Sequence, residues 1–349
     1  MNADTLDAEE WQRALAALPI ASRDVYFTPE YHNLHVANGD GDAVCVAVRD
    51  ADAVLLVPGL RRPVPVTAGP PRAPACWDLE SCNGYGGPLV TPGVRAAFLQ
   101  DAWVETRRAL GESGGVAAFF RLHPLVGNEL LLPSDAIVQN DRPTVYVDLT
   151  HGLEQAWDRA ESRHRNMVRK GRREGIAVCW NDPGDWSHFE ALYGDAMTRL
   201  SAPERLRFTG AYFASLRRLG GSQLATVRDG RGLVAGAVFL FGPAWAHYHL
   251  AARRSDAENH VTSCLIQAGL ERAAERELMG VFLGGGATRD PEYAVLKFKR
   301  SVGGELKTFR VALVVVDKRG YDQLVQEWTR KAGRPPTWLL GYRQPAELV

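Results

Sequence analysis

Two spacings of apolar residues alternate along the chain, and each predicts a different kind of element. In the first part, apolar residues at helical spacing predict a helix over residues 8–18, and two apolar runs beginning at Ala43 and Ala53 predict a strand hairpin. Proline and glycine crowd residues 62–92, which predicts a long loop. A helical spacing over residues 93–110 then leads into another apolar strand, so helix and strand continue to alternate.

The second half of the chain begins after the strand TVYVDLT, where the composition changes abruptly to a charged helix predicted over residues 151–175. Further on, the apolar runs SQLATVRD, GLVAGAVFLFG and AWAHYHLAAR are joined by short turns, which predicts an antiparallel meander. A helix over residues 259–277, the strand GVFLGGG, a short helix, a strand from Thr308 and a helix over residues 321–331 follow.

The length of the chain, 349 residues, exceeds what one hydrophobic core usually organises. Hydrophobic residues make up 46% and charged residues 23%, as in ordinary globular proteins. We therefore predict an α/β (α+β) fold with two domains, over residues 1–143 and 144–349, each with a mixed, largely antiparallel sheet flanked by helices. For the terminal helix of the second domain, packing against the first domain is an open alternative.

The charges balance, because Lys+Arg and Asp+Glu both number 41. A polyanionic partner must therefore be held by a local patch of charge, and no DNA partner is expected. The first residues have no basic leader before an apolar segment, and no window approaches 18 consecutive apolar residues. The sequence thus predicts a cytoplasmic protein with no membrane span.

Cysteine and histidine offer little catalytic or metal-binding signal. The five cysteines are scattered without a C-x-x-C pair, which favours reduced, mostly buried thiols over a zinc site, a redox pair or a catalytic thiol. His247 and His249 alternate on one predicted strand, but no third ligand stands at metal spacing. We predict core or cleft positions for both histidines and no metal site.

Basic residues form one side of the predicted helix over residues 151–175, with six Arg or Lys residues between Arg163 and Arg173. Guanidinium groups match the geometry of phosphates, so this face suits a nucleotide-linked acceptor or a tRNA backbone. A run of charge on a helix is also the ordinary composition of a solvated face. Both interpretations stay open at this point.

Four segments follow one another between residues 78 and 304: SCNGYGGPLV, SRHRNMVRKGRREGI, RLRFTGAYFASL and LGGGATRDPEYAVLKFKRSVGG. Together they resemble the Fem-type (FemABX-like) branch of the GNAT superfamily of acyltransferases, whose peptidyltransferases add amino acids to peptidoglycan precursors. The resemblance implies two GNAT-like domains, the first degenerate and the second carrying the donor site, with the acceptor in the cleft between them.

The resemblance also implies catalytic residues. The family's Phe-Lys pair maps onto Phe298 and Lys299, and the lysine is expected to stabilise the oxyanion of a tetrahedral intermediate. Taken alone, Lys299 reads as a solvated surface lysine, and Lys297 is a competitor two residues away. His249 is a secondary candidate for the general base.

Substrate-binding candidates come from all four segments. The glycines before the short helix allow close approach of a ligand to the backbone, although they also suit a purely conformational turn. Basic and aromatic side chains suit phosphate binding and a ligand wall. The candidates are Tyr85, Arg165, Asn166, Arg169, Lys170, Arg207, Tyr212, Gly285 and Asp290.

The donor is suggested by a departure from the acetyl-CoA-dependent pattern. Those enzymes carry a glycine-rich loop after the meander, whose backbone amides hold the pyrophosphate. The equivalent stretch here, ARRSDAENHVTSCL, has no glycine. We therefore predict an aminoacyltransferase with no cofactor, which takes an aminoacyl group from a transiently bound aminoacyl-tRNA to the amine of a small-molecule or nucleotide-linked acceptor. The alternatives are an acyl-CoA-dependent N-acyltransferase and a non-catalytic GNAT-like scaffold.

Overall fold

The computed structural model describes residues 1–65, 76–286, 288–290 and 292–345. Contacts between residues divide the chain into two compact units. The first unit comprises residues 1–22, 26–141 and 309–349, and the second comprises residues 23–25 and 142–308. The last forty residues thus belong to the first unit, whereas the limits drawn from the sequence put them in the second domain. That residues 1–143 and 144–349 form two separate folding domains stays a prediction.

Strands and helices occur in both units. In chain order the strands are β1 (Asn2–Thr5), β2 (Asp42–Asp50), β3 (Ala53–Pro63), β4 (Trp77–Glu80), β5 (Leu89–Val90), β6 (Gly115–Arg121), β7 (Ile137–Asp148), β8 (Cys179–Trp180), β9 (Ser222–Asp229), β10 (Gly232–Phe241), β11 (Trp245–Arg253), β12 (Gly280–Gly285) and β13 (Glu305–Val315). The helices are α1 (Ala8–Ala16), α2 (Pro29–Asn38), α3 (Ala96–Glu112), α4 (Leu153–Arg159), α5 (Ser162–Arg173), α6 (Asp185–Arg199), α7 (Gly210–Arg218), α8 (Asn259–Glu275), α9 (Ala294–Arg300) and α10 (Lys318–Ala332).

The sheets of the two units share one plan. In the first unit the strand order is β1-β2-β3-β4-β6-β13, and β5 pairs with β3. In the second unit the order is β7-β12-β11-β10-β9-β8. Among the described residues, each sheet has one parallel pair, β4 with β6 and β11 with β12, whose connections contain α3 and α8 respectively, and its other pairings are antiparallel. The prediction of two mixed, largely antiparallel GNAT-like sheets flanked by helices is confirmed.

The core of the second unit lies between its sheet and α8. The central strand β10 is buried over its last eight residues, as its uninterrupted apolar run predicts. Helix α8 approaches this strand closely, because a Cβ atom at Gly269 would lie 2.2 Å from the ring of Phe239. This close packing fixes α8, and with it the α8 face of the sheet, on which the candidate site lies.

The structure corrects the predicted helix over residues 151–175, which is two helices, α4 and α5. Ala160 and Glu161 between them are extended, and the Glu161 amide donates to the carbonyl of Ser301 at 2.9 Å. Gly303 packs against the end of α4 so closely that a Cβ atom there would lie 2.7 Å from the Ala156 carbonyl oxygen. A contact with a segment 140 residues away in the sequence therefore breaks the helical pattern.

Other elements also differ from the pattern. The predicted loop over residues 62–92 contains β4 and β5, while its residues 66–75 lie outside the described part of the chain. Strand β1 and helix α2 were not predicted. All five cysteines are free, and no helix in the described part of the chain is long and apolar enough to cross a membrane.

Candidate functional site

The parallel strands β11 and β12 pair for only part of their length. Three residue pairs join them, Trp245 with Gly280, Ala246 with Val281, and His247 with Phe282. Beyond these pairs β11 continues to Arg253 and β12 to Gly285, and β12 goes on pairing with β7 on its other side. Residues 248–253 of β11 and 283–285 of β12 thus leave an opening between the two strands, which we call the strand opening.

Lys299 connects the two sides of the strand opening. The residue lies in the last turn of α9 and is half-buried. Its Nζ atom donates to the carbonyl oxygen of Gly285 on β12 at 2.9 Å, and lies 5.9 Å from the centre of the Tyr248 ring on β11. Burial lowers the pKa of Lys299 to about 8, because desolvation disfavours the charged amine.

Its neighbours on α9 have different surroundings. Phe298 is half-buried and packs against the apolar core of the second unit, so it anchors the helix. Lys297 is exposed and pairs with the carboxylate of Glu292 at 2.5 Å. Of the two candidate lysines, only Lys299 lies at the strand opening.

The glycines after β12 hold the turn that leads to α9. Gly284 has a φ of 69°, in the left-handed region that favours glycine. A Cβ atom at Gly286 would lie 2.4 Å from the ring of Tyr293, and the Gly286 carbonyl accepts a hydrogen bond from Arg142 at 3.2 Å. The glycines therefore have a conformational role here, while Gly285 also supplies the carbonyl that Lys299 contacts.

His249 lies on the opposite face of the sheet from Lys299. Tyr248 pairs with Phe239 in register and contacts its ring, so it faces α8. The register then skips His249, whose Nε2 atom lies 2.8 Å from the hydroxyl group of the buried Tyr212 on α7. His249 and Tyr212 therefore contact each other on the face of the sheet opposite to Lys299.

The comparisons with known proteins concern the fold. FemX matches with a TM-score of 0.70 at 12% identity, over 92% of this chain and 99% of that chain. The fold is that of FemX. The C-terminal domain of an Agrobacterium fabrum protein described as a lysylphosphatidylglycerol synthetase matches with a TM-score of 0.59 at 13% identity, over 93% of this chain and 97% of that chain. A tandem GNAT protein from the clavulanic acid biosynthesis pathway has a TM-score of 0.50 at 13% identity, over 90% and 99%.

No protein-family model and no curated protein sequence matches this chain. The structural matches support the Fem-like, tandem GNAT architecture predicted from the four segments. At identities of 12–13% they establish the fold alone. The roles of individual residues have to be argued from this structure.

The basic helix α5 is already paired over much of its length. Lys170 forms an ion pair with Glu258, and Arg172 donates to Glu271 at 2.7 Å. Arg165 donates to the carbonyls of Asp158 and Ala160, which end α4. The internal ion pairs and backbone contacts of α5 thus hold three basic side chains that phosphate binding requires to be free.

Arg169 and Asn166 are the exposed members of the α5 candidates. Arg169 lies 5.8 Å from the centre of the Trp157 ring, and its guanidinium is 3.5 Å from the side-chain oxygen of Asn166. No ion pair with a carboxylate holds Arg169 within the described residues. Of the α5 candidates, Arg169 is therefore the basic side chain best placed for an external phosphate.

The connection from β11 to α8 borders a cavity lined by charged side chains. A cavity of about 410 Å³ there is lined by Lys170, Arg253, Asn259, His260 and three further residues of the second unit. Glu258 is the residue before the first turn of α8, where an acetyl-CoA enzyme would hold pyrophosphate. Its carboxylate pairs with Lys170 and lies 3.1 Å from Nδ1 of His260. An acidic side chain therefore stands beside Lys170 and His260 at the start of α8, where no glycine precedes it in residues 252–257.

The remaining candidates make their contacts with residues other than Lys299. Arg207 donates to the carbonyls of Ala202 and Met197 near the end of α6. Asp290 accepts a hydrogen bond from the Glu292 amide at 2.8 Å, which supports the turn before α9. Tyr85 belongs to the first unit, where its ring contacts Tyr26, His123 and Phe309.

The sequence did not single out Tyr248 and Arg142, which complete the surroundings of Lys299 and Gly286. Tyr248 lies between two histidines in AWAHYHLAAR, and the histidines are the residues in this strand whose chemistry suggests a catalytic or metal-binding role. Only the unequal strand register, with Tyr248 on the α8 face, reveals its place. Arg142 carries no local signal at all.

Proposed function

We propose that the protein is an aminoacyltransferase that forms an amide bond, with an aminoacyl-tRNA as donor and the amine of a small-molecule or nucleotide-linked compound as acceptor. The observation that carries the proposal is the place of Lys299, half-buried at the strand opening with its amine on the Gly285 carbonyl. A cationic amine in a partly dry site is suited to stabilise the oxyanion that forms when an amine attacks an ester carbonyl.

The strand opening supports binding of an extended acyl group. Past His247 and Phe282, β11 and β12 do not pair with each other, so backbone N–H and C=O groups face the opening. Such groups require hydrogen-bond partners, and an aminoacyl group or the backbone of a linker supplies them. The amine of Lys299 lies beside both strands of the opening, on the Gly285 carbonyl and near the Tyr248 ring, which supports a role at the carbonyl carbon of such a group.

The preference for an aminoacyl-tRNA over acyl-CoA rests on the start of α8. No glycine lies in residues 252–261, and the exposed carboxylate of Glu258, which pairs with Lys170, adds a negative charge before the first turn of α8. FemX and the protein described as a lysylphosphatidylglycerol synthetase share the fold, and the name of the second concerns a lysyl group. Arg169 is the best-placed contact for a phosphate of the tRNA.

The test is transfer of labelled amino acids from a mixture of charged tRNAs to a panel of amines, with chromatography and mass spectrometry of the products. We expect amide products with the wild-type protein, and a loss of about 100-fold or more with Lys299→Ala, as for removal of one oxyanion-stabilising group. Lys297→Ala is the matched control, since this exposed lysine is paired with Glu292 and should keep activity.

Three outcomes reject the proposal in different ways. Transfer from acyl-CoA but from no charged tRNA would favour the N-acyltransferase alternative. Equal activity of Lys299→Ala and wild type would remove Lys299 from the reaction. Absence of any transfer, together with retained tRNA binding, would favour a GNAT-like binding scaffold.

A further inference from the structure

Amide formation from an amine and an ester requires that the attacking nitrogen lose a proton. The candidate base from the sequence, His249, contacts Tyr212 on the face of the sheet opposite to Lys299. The carboxylates next to α9 are also engaged, since Asp290 accepts from the Glu292 amide and Glu292 pairs with Lys297. Within the described residues these contacts leave Lys299 as the amine that faces the strand opening.

The surroundings of Lys299 allow its amine to be neutral as well as charged. Within the described residues, its Nζ atom has one hydrogen-bond acceptor, the Gly285 carbonyl, and no carboxylate partner. On its other side lies the ring of Tyr248, which in turn packs on the fully buried Phe239. Desolvation of a half-buried amine with no counter-ion disfavours its charged form, and burial lowers the pKa of Lys299 to about 8.

We propose that Lys299 is also the proton acceptor for the attacking amine, and that Tyr248 is a positioning residue that keeps Lys299 partly dehydrated. This inference rests on the proposed function for the reaction, but the acid–base behaviour of Lys299 is a property of the protein alone. It adds a proton-transfer role to a residue for which only charge stabilisation was expected.

The proton transfers balance over one turnover. The neutral acceptor amine attacks the ester carbonyl carbon, and a C–N bond forms while the carbonyl electron pair moves to oxygen. The neutral Lys299 amine takes one proton from the attacking nitrogen and becomes an ammonium group, which stabilises the oxyanion. The C–O bond to the ribose then breaks, and Lys299 returns its proton to the departing ribose oxygen. Lys299 is neutral again after the amide is released.

The groups that surround Lys299 are consistent with this role. Basic residues lie nearby, namely Arg142, whose guanidinium donates to Gly286, and Lys297 and Arg300 on the same helix. Tyr248 faces Lys299 from β11, and Tyr293 packs on Gly286 at the start of α9. The acidic groups of the preceding turn are Asp290 and Glu292, both engaged as described. Nothing in this set fixes Lys299 in its charged form.

The first experiment measures the ionisation of Lys299 without any substrate. The intact protein is labelled with trace acetic anhydride between pH 6 and 11, and the labelling rate of each lysine is read by peptide mass spectrometry. We expect the rate at Lys299 to reach half its maximum near pH 8, which is below the range of ordinary solvated lysines. A midpoint for Lys299 equal to that of Lys297, or no labelling of Lys299 at any pH, overturns the proposal.

Tyr248 variants test the positioning role by the same measurement. Tyr248→Phe keeps the ring beside Lys299 and should leave the midpoint unchanged, whereas Tyr248→Ala admits water and should raise the midpoint of Lys299 by one pH unit or more. The midpoint of Lys297 should not move in either variant, which separates this effect from a general loss of structure. An unchanged Lys299 midpoint in Tyr248→Ala contradicts a role for Tyr248.

The transfer reaction then separates a proton acceptor from a fixed charge. Lys299→Arg keeps a positive charge but does not release a proton between pH 7 and 9. If Lys299 exchanges a proton, Lys299→Arg should lose activity at least 100-fold, within tenfold of Lys299→Ala. Retention of more than a tenth of wild-type activity by Lys299→Arg contradicts the proposal. Absence of transfer in the wild type rejects the proposed function instead, and the labelling midpoint stands as a separate result.

Discussion

The parallel pair β4–β6 of the first unit and the parallel pair β11–β12 of the second occupy the same place in the strand order, but only the second pair separates. In the first unit the pairing runs through Glu80 and Phe119 and then continues. The Ser81 amide donates to Phe119, and the Arg121 amide donates to the Ser81 hydroxyl oxygen at 2.7 Å. In the second unit the pairing ends at His247 and Phe282.

Charged side chains reinforce the closed pair of the first unit. The buried carboxylate of Glu80 accepts from Arg62 at 2.8 Å with both oxygens, and lies 3.8 Å from Arg121 and 3.2 Å from Arg343. In the open pair β12 ends in two glycines, and the side chain of Lys299, which comes from α9, forms one hydrogen bond there. The first unit thus holds this position with buried charge, and in the second unit we propose that the same position binds a ligand.

The segment SCNGYGGPLV takes part in the closure. Gly86 bridges to Leu122, its amide donates to the Arg121 carbonyl at 2.6 Å, and its carbonyl accepts from Asn128 at 2.7 Å. A feature that we expected to line a substrate cleft thus fills the edge of β6 in its own unit. That the first domain is the degenerate one stays a prediction.

The strongest test of the comparison is to open the closed pair by Glu80→Ala. Three guanidinium groups would lose their shared, buried carboxylate, so we expect a loss of about 3 to 5 kcal/mol in the free energy of unfolding. Urea denaturation followed by circular dichroism measures the change. Glu112→Ala, which removes an exposed partner of Arg108, should leave stability unchanged. Equal effects of the two variants would show that the closure adds nothing.

At the open pair, we expect Lys299→Met to raise the free energy of unfolding at pH 7, whereas Glu80→Ala lowers it. The pKa of Lys299 falls from 10.5 to about 8 on folding, so the unfolded chain binds more protons between these values, and wild-type stability rises with pH through that window. After allowance for the lost hydrogen bond, we expect a gain of about 1 to 3 kcal/mol at pH 7.

The gain should shrink as the pH rises from 8 to 10.5, because both states of the wild-type protein then lose the Lys299 proton. Urea denaturation at pH 7 and pH 10 measures it. Lys297→Met, which changes an exposed lysine on the same helix, is the control. A destabilised Lys299→Met protein at pH 7 would mean that Lys299 serves structure, as the Glu80 cluster does.

The smallest effect concerns α5, whose pairing differs from residue to residue. Arg169 has no carboxylate partner within the described residues, whereas Lys170 is paired with Glu258. If the helix contacts a tRNA backbone, Arg169→Gln should reduce the slope of log K against log salt by about 1, and Lys170→Gln by less. Fluorescence anisotropy of a labelled tRNA between 50 and 200 mM salt measures the slopes. Identical slopes for both variants and wild type would exclude this contact.

Much of the architecture was readable from the sequence. The hairpin β2–β3, the meander β9–β11 and helix α8 follow from apolar periodicity, because each has one face or both faces in a core. The resemblance of four segments pointed to the fold, and to Lys299 as the residue to examine. Where local pattern failed, as at Ala160 and Glu161, a distant backbone contact decided the conformation.

The candidate site was less predictable. Its basic residues are alike in sequence, but their partners are not, since the carboxylates that hold Lys170 and Arg172 lie about one hundred residues away on or before α8. His249 and Tyr248 are adjacent in the chain, yet a skipped residue in the strand register sends them to helices on opposite faces. The local spacing of residues encodes neither the ion-pair partner of a basic side chain nor the face of the sheet to which a strand residue points.

The sequence by itself determined the order of most elements, with β1, α2 and the break between α4 and α5 as exceptions, the absence of a glycine loop before α8, and a lysine in a Fem-like Phe-Lys pair. Only the tertiary structure decided which of two equivalent parallel pairs stays open, and that Lys299 rather than Lys297 lies there. The physical reason is that an unpaired strand edge and a half-buried amine are defined by the residues that surround them, and those residues come from distant parts of the chain.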